Sequence, residues 1–258
     1  MSDVVISGKK KLKDIEGRYF KITKSNTLIQ KSGFELSAQE QKIMLYLISK
    51  IKPDDNVFIT SDFDITEFCK VCGTDITSGK NHKDIESALT ILASKVLWVK
   101  LTNGEKTIIR WIDKPYLNEQ TGKMRIKFDD LLKPYLLQLK NNFTQFELVY
   151  TLAMKSRYSI RLYEILRSYE YKHTIIEFEL DTLKELLSAT VYNRYQDFRR
   201  KVLEVATNEI NDLSDIHAAY ELIKDGRKYS KIQFIITLKQ DMDDRFETWK
   251  RIKNVIGD

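Results

Sequence analysis

YQDFRRKVLEVATNEINDL, running from Tyr195 to Leu213, is the stretch that decides how the chain is read. Phe198, Val202, Val205, Ala206, Ile210 and Leu213 recur at three- and four-residue spacing, which predicts an amphipathic helix. Asp197, Arg200, Lys201, Glu204, Asn208 and Asn211 fall on the opposite side, and Arg199-Arg200-Lys201 makes the first half basic. A helix of this kind fits a DNA major groove. Taken alone it fits better an ordinary surface helix with a solvated polar face, so its neighbours must choose.

After it comes HAAYELIKDGRKYSKIQFIITL, two strand-like runs joined by Asp225-Gly226, a hairpin turn signal. Before it lie helical patterns at Phe146–Met154 and Ser159–Glu170, a short strand at Ile175–Phe178, and a short helix from Thr182 to Leu187 capped by Asp181. The order helix, short strand, helix, helix, hairpin is that of a winged helix. The same order occurs earlier. LSAQEQKIMLYLISKIK opens with the capping-box spacing Ser37 to Glu40 and presents Ile43, Leu47 and Ile51 on one face, until Pro53 ends it. A strand at Val57–Thr60 comes next, then helices at Ile65–Val71 and Asn81–Val96. The last element is a hairpin, LWVKL and KTIIRWI around Asn103-Gly104, with a further strand at Met124–Phe128. The predicted fold is α+β, with two tandem winged-helix domains. The divisions are a loose basic arm at 1–33, an N-terminal winged helix at 34–142, a C-terminal one at 143–240 and a polar helical tail at 241–258.

Composition narrows the function. A net charge of +6 favours a polyanionic partner. No apolar run is long enough to span a bilayer, and the N-terminus does not read as a secretory signal. The two cysteines, Cys69 and Cys72, lack the second ligand pair that a structural zinc needs, and read as reduced thiols of a cytoplasmic protein. No glycine-rich phosphate loop is present, nor a paired-histidine metal site for tyrosine-mediated nicking. Asp62-x-Asp64 and Asp241-x-Asp243-Asp244 resemble metal-binding carboxylates, but the first pair sits where a helix cap is expected and the second in the polar tail. We therefore expect no enzyme, no metal and no cofactor.

Double-stranded DNA suits the remaining features. Arg200, Lys201 and Asn208 are placed to read base edges, since arginine bidentate to guanine is the commonest specific contact. Arg199 lies near the edge of the apolar stripe and is either a phosphate contact or a packing residue. Lys155, Ser156, Arg157 and Ser159 at the start of the preceding helix, and Arg227, Lys228 and Lys231 at the wing, are expected to hold phosphates. In the N-terminal half Lys80, Asn81, His82, Lys83 and Ser87 stand in the corresponding place.

LSAQEQKIMLYLIS, KSRYSIRLYEILRSY, and VATNEIND followed by YELIKDGRKYSKIQFII resemble the iteron-binding, theta-type plasmid replication initiators over roughly Leu36 to Thr237. Ser156 to Glu164, Glu209-Ile210-Asn211 and Gly226-Arg227 are the more specific blocks, and Ser156, Arg157 and Arg227 match them. The resemblance implies monomers bound to direct repeats at a plasmid origin, opening of the adjacent duplex, and recruitment of the host replication initiator and helicase machinery. It also implies homodimers, paired through the N-terminal domain, that bind an inverted repeat and repress the initiator's own promoter. The hairpin from Trp98 to Trp111 and its neighbours would be the pairing surface, unless Trp98, Trp111 and Tyr116 simply fill the first core. A transcriptional regulator on the same scaffold, or a primase-type enzyme, are the rival readings.

Overall fold

The computed structural model describes residues 17–58, 61–71, 80–100, 105–118, 120–170, 174–225 and 228–257. Two antiparallel three-stranded sheets share one strand order. In the C-terminal half β8 (Ile175–Glu179) pairs with β10 (Lys228–Leu238), which pairs with β9 (Ile216–Asp225). In the N-terminal half β2 (Ser61–Asp64) pairs with β6 (Lys123–Phe128), which pairs with β5 (Ile112–Asn118). Helix α2 (Ala38–Ser49) precedes β2, and α3 (Ile65–Val71) and α4 (Lys80–Ser94) come after it. Correspondingly, α7 (Arg157–Glu170) precedes β8, and α8 (Leu180–Leu186) and α9 (residues 195–213) come after it. Helix α9 runs without a break through Tyr195–Phe198, Arg199–Leu203 and Glu204–Leu213. The chain therefore consists of two winged helices.

Local chemistry sets the element starts. The Ser37 hydroxyl accepts from the Glu40 amide while the Glu40 carboxylate accepts from the Ser37 amide at 2.8 Å, closing the expected capping box. Asp64 accepts from the amides of Thr66 and Glu67, and Asp241 from that of Asp243; these carboxylates cap helices. Of the expected strand at Val57–Thr60, Val57 and Phe58 are outside any strand and residues 59 and 60 lie outside the described residues; the described pairing with β6 covers Ser61–Asp64.

The wing of the N-terminal domain is also elsewhere than expected. Strands β3 (Val96–Lys100) and β4 (Lys106–Arg110) do form a hairpin, but among the described residues they pair only with each other. By strand order the counterpart of the β9–β10 wing is β5–β6. The β3–β4 hairpin is inserted between α4 and that wing, whereas in the C-terminal domain α9 leads straight into β9. Pro115 disguises β5 as a loop, and an edge strand tolerates proline because its missing N–H faces no partner. The β5–β6 turn is closed by the Asn118 side chain, which accepts from the Gln120 and Thr121 amides, and by Gly122 at φ +63°.

The two domains do not separate cleanly at residue 142. Strand β1 (Lys21–Ser25) pairs along its length with β7 (Phe143–Glu147), and α1 (Asn26–Lys31) packs on α7. From residue 17 onward, then, the predicted loose arm is ordered, and Ile22, Leu28 and Ile29 are core residues. The expected helix from Phe146 begins only at Leu148, after β7, as α6 (Leu148–Ala153). Behind β1 the buried Lys24 ammonium bonds Glu164 at 2.7 Å. Arg161 joins the same carboxylate at 3.4 Å and donates to the carbonyls of Ile29, Ser32 and Leu186. Phe34 caps the network from the N-terminal side, its ring 4.6 Å from the Arg161 guanidinium and edge-on to Trp111. Burial pushes the Lys24 and Arg161 pKa values below their ordinary ranges, opposed by the Glu164 charge. One acid thus holds two desolvated cations at the seam between the domains.

The tail is docked rather than free. Helix α10 (Met242–Ile256) buries Thr248, Ile252 and Ile256 and packs against α6 and α9. Arg18 ties its end to the N-terminal domain, donating to the carbonyls of Ile256 and Gly257 and to that of Val71. Cationic side chains suit a helix C-terminus, where the last carbonyls lack helical partners.

Candidate nucleic-acid interface

Helix α9 is anchored by Phe198, Val202, Leu203, Ala206 and Ile210, all fully buried. Each large apolar member contributes about 1.5–3 kcal/mol relative to exposure. One member of the predicted stripe fails: Val205 is 37% exposed, and Leu203 takes an inward place instead. The reason is a π-helical turn at Arg199–Leu203, where the Glu204 amide reaches back five residues to the Arg199 carbonyl. The wider turn adds a residue to the helix and rotates the phase of the turns beyond it. It also brings Arg199 and Glu204 into an ion pair at 2.9 Å, five residues apart. Arg199 contacts Tyr220 on β9 as well, and its side chain is 54% exposed on the same turn.

The basic turn points outward. Arg200 is 72% exposed and held loosely by Asp197 at 3.6 Å. Lys201 is exposed, with its ammonium 5.7 Å from the Tyr192 ring centre, and Asn208 is exposed further along. Arg194 at the N-cap and Gln196 in the first turn are exposed too, and sequence reasoning missed both. Their signal was positional: the N-terminal residues of a recognition helix are those that reach base edges. Asn211, by contrast, is structural. Its amide side chain bonds both the N–H and the carbonyl of Ala218, fixing the start of β9.

The expected phosphate group at the start of α7 is largely committed elsewhere. Glu209, projecting from α9, accepts from the backbone amides of Lys155 and Ser156 at 3.0–3.2 Å. A carboxylate on a helix N-terminus occupies the place of a phosphate. The Ser156 hydroxyl accepts from the Tyr158 amide. Ser159 is fully buried and cannot meet DNA in this conformation, because it lies on the core side of α7. Arg157 is a seam residue: it pairs with Glu35 at 3.1 Å and donates to the Tyr158 hydroxyl and the Ser188 carbonyl. Of this group only Lys155 is exposed.

At the wing, Lys231 is bracketed by Glu179 at 3.3 Å and Glu177 at 3.9 Å, which offset its charge. Arg227 lies outside the described residues, as does the Lys228 side chain. On α4, Lys83 and Ser87 are exposed, and the side chains of Lys80, Asn81 and His82 are outside the description. No group of metal-ligating side chains occurs among the described residues.

Comparison with known proteins places this geometry. Residues 21–167 match the family model "Initiator Replication protein, WH1", and residues 179–236 match "Initiator Rep protein, WH2". The chain belongs to the initiator replication protein family. It is 31% identical over 153 residues to the Escherichia coli "PI protein", which covers 52% of this chain and 49% of that one, so the chain spans about half the length of that relative. It is 29% identical over 225 residues to an Escherichia coli "Replication initiation protein", covering 82% of this chain and 68% of the relative. The fold matches a crystal structure of the Pi initiator protein in complex with iteron DNA, with a TM-score of 0.72 and 20% identity over 87% of this chain and 99% of that one. The WH1 match runs through α7, in keeping with a β1–β7 seam that joins both halves. The expectation of two tandem winged helices stands with this assignment. Among the described residues no helix is long and apolar enough to cross a membrane.

Proposed function

We propose that this chain initiates plasmid replication by binding origin direct repeats as a monomer, with α9 in the major groove. The observation that carries this reading is the outward-facing basic turn of α9 on a fully buried stripe, immediately followed by a wing. Arg194, Gln196, Arg200, Lys201 and Asn208 are the base-reading candidates. Lys155, Arg227, Lys228 and, more weakly, Lys231 set register on phosphates.

Dimerisation through the N-terminal domain, with repression of the initiator's own promoter, belongs to the same proposal. Trp98 and Ile108 are cross-strand neighbours on the outer face of the β3–β4 hairpin and are 56% and 47% exposed, with Val96 beside them. Trp111 has no part in that surface because it is fully buried against Phe34. Opening of the adjacent duplex and recruitment of the host replication initiator and helicase rest on family likeness.

A nuclease footprint on the plasmid carrying the gene tests the reading. Protection of tandem direct repeats, with loss of plasmid maintenance when Arg200 is replaced, is the expected result. Protection of a lone promoter palindrome would identify a transcriptional regulator instead.

A further inference from the structure

Helix α9 carries four acids, and each is engaged inside the protein. Glu204 pairs with Arg199 at 2.9 Å, and Glu209 accepts from the Lys155 and Ser156 amides. Asp212 pairs with Arg251 of α10, and Asp197 faces Arg200 at 3.6 Å. Between these acids the helix shows solvent a strip of Lys201, Val205 and Asn208, all exposed. They follow one another at intervals of four and three residues, which sets them on one face of the helix. Val205 is the apolar member. The buried stripe consists of Phe198, Val202, Leu203, Ala206 and Ile210, and the π-helical turn at Arg199–Leu203 leaves Val205 outside it, 37% exposed. Thr207 is buried instead, its hydroxyl donating to the Leu203 carbonyl. Single exposed apolar residues are ordinary on protein surfaces. This one stands between a lysine and an asparagine on the helix that carries the basic turn, and valine is a poorer helix former than the residues usual on a solvated face. Helix stability therefore does not account for it.

Resting on the reading of α9 as the major-groove helix, we propose that Val205 is a specificity-determining residue that packs its methyl groups against the C5-methyl group of a thymine in the bound repeat. The C5-methyl group is the apolar feature that the major groove displays, and side chains recognise it by apolar contact where a hydrogen bond has no partner. Val205 and Asn208 are separated by about 4.5 Å along the helix axis, close to the rise of about 3.4 Å between successive bases of a strand. The two side chains therefore address neighbouring positions. The Asn208 amide suits adenine, so a run of A·T pairs satisfies both. Glu204 and Glu209 flank Val205 in the chain, but their carboxylates are turned to Arg199 and to the start of α7, which leaves the strip without an acid directed at the groove.

The test uses the full chain and a fluorescent duplex carrying the footprinted repeat, with each thymine replaced in turn by uracil, which removes only the C5-methyl group. Wild-type affinity should fall about three- to fivefold at one thymine, the worth of one buried methyl group. Val205→Ala should bind the thymine repeat more weakly by a similar factor and should be indifferent to uracil at that same position. Its preference for the repeat over a scrambled duplex should shrink to match. Melting temperatures should agree, because the Val205 side chain lies outside the core. A wild type indifferent to uracil at every position overturns the proposal. So does a uracil penalty of equal size in Val205→Ala and the wild type at every thymine, or an unchanged preference for the repeat in the variant. If the wild type does not distinguish the repeat from the scrambled duplex, the reading of α9 itself fails; with that distinction intact, a flat uracil scan removes Val205 alone.

Discussion

The C-terminal and N-terminal winged helices share a strand order, and they differ in the element after the third helix and in the charge they expose. In the C-terminal domain α9 runs directly into the wing and exposes Arg200 and Lys201, and the outer face of the sheet bears Glu177, Glu179 and Glu221 among the described residues. In the N-terminal domain a hairpin with an apolar outer face intervenes, and Lys114, Lys123 and Arg125 stand exposed on the wing. The difference teaches that a winged helix fixes where a helix and a ribbon lie, and leaves their division of labour to side chains. The two domains are nevertheless joined, because β1 closes against β7 and Lys24, Glu164 and Arg161 occupy the seam.

The largest effect is expected at that seam. Glu164→Ala leaves the Lys24 and Arg161 charges buried without a carboxylate and should cost about 3–5 kcal/mol, measured by denaturant unfolding. Two separated unfolding transitions, with the first midpoint unmoved by the mutation, would show that the domains are independent after all. Next comes reading by α9. Arg200→Ala should weaken binding to the cognate repeat by about 1–3 kcal/mol and relax preference at one base pair, checked by titration against single-base variants of the repeat. An unchanged preference would move recognition to another element.

Glu209→Ala should lower stability by about 1–2 kcal/mol, because the Lys155 and Ser156 amides lose an ionised acceptor. Glu209→Gln should recover part of that loss in the same melts; no difference between the two variants would show that the contact is not made. The smallest effect is expected at the acidic wing face. Lys231→Ala should change duplex affinity by less than about 0.5 kcal/mol, since Glu177 and Glu179 already offset its charge and exposed pairs are weak. A large loss there would erase the contrast between the wings.

Periodicity and turn chemistry carried much of this architecture. The capping box at Ser37–Glu40, the helix at Ile65–Val71, the pairing of β3 with β4 and the buried stripe of α9 were legible because each depends on residues a few positions apart, while the Asn103-Gly104 turn lies outside the described residues. The outward basic turn with Arg200 and Lys201 was legible for the same reason. The features that stayed hidden depend on distant partners. No local pattern announces that Lys21–Ser25 will pair with Phe143–Glu147, or that Glu209 will occupy the α7 N-terminus in place of a phosphate. Ser159 looked like a contact because hydroxyls suit phosphates, and only packing shows that its side of α7 faces the core. The π-helical turn is an intermediate case: Val205 obeys a 3.6-residue rule that Arg199–Leu203 interrupts.

By itself, then, the sequence determined the main helices, the two hairpins and the basic helix, since short-range sterics and hydrophobic spacing act within a few residues. Only the tertiary structure decided which hairpin is the wing, which polar groups remain in solvent, and which charges neutralise one another. Those outcomes depend on strand partners and burial, where segments more than a hundred residues apart compete for the same hydrogen bonds.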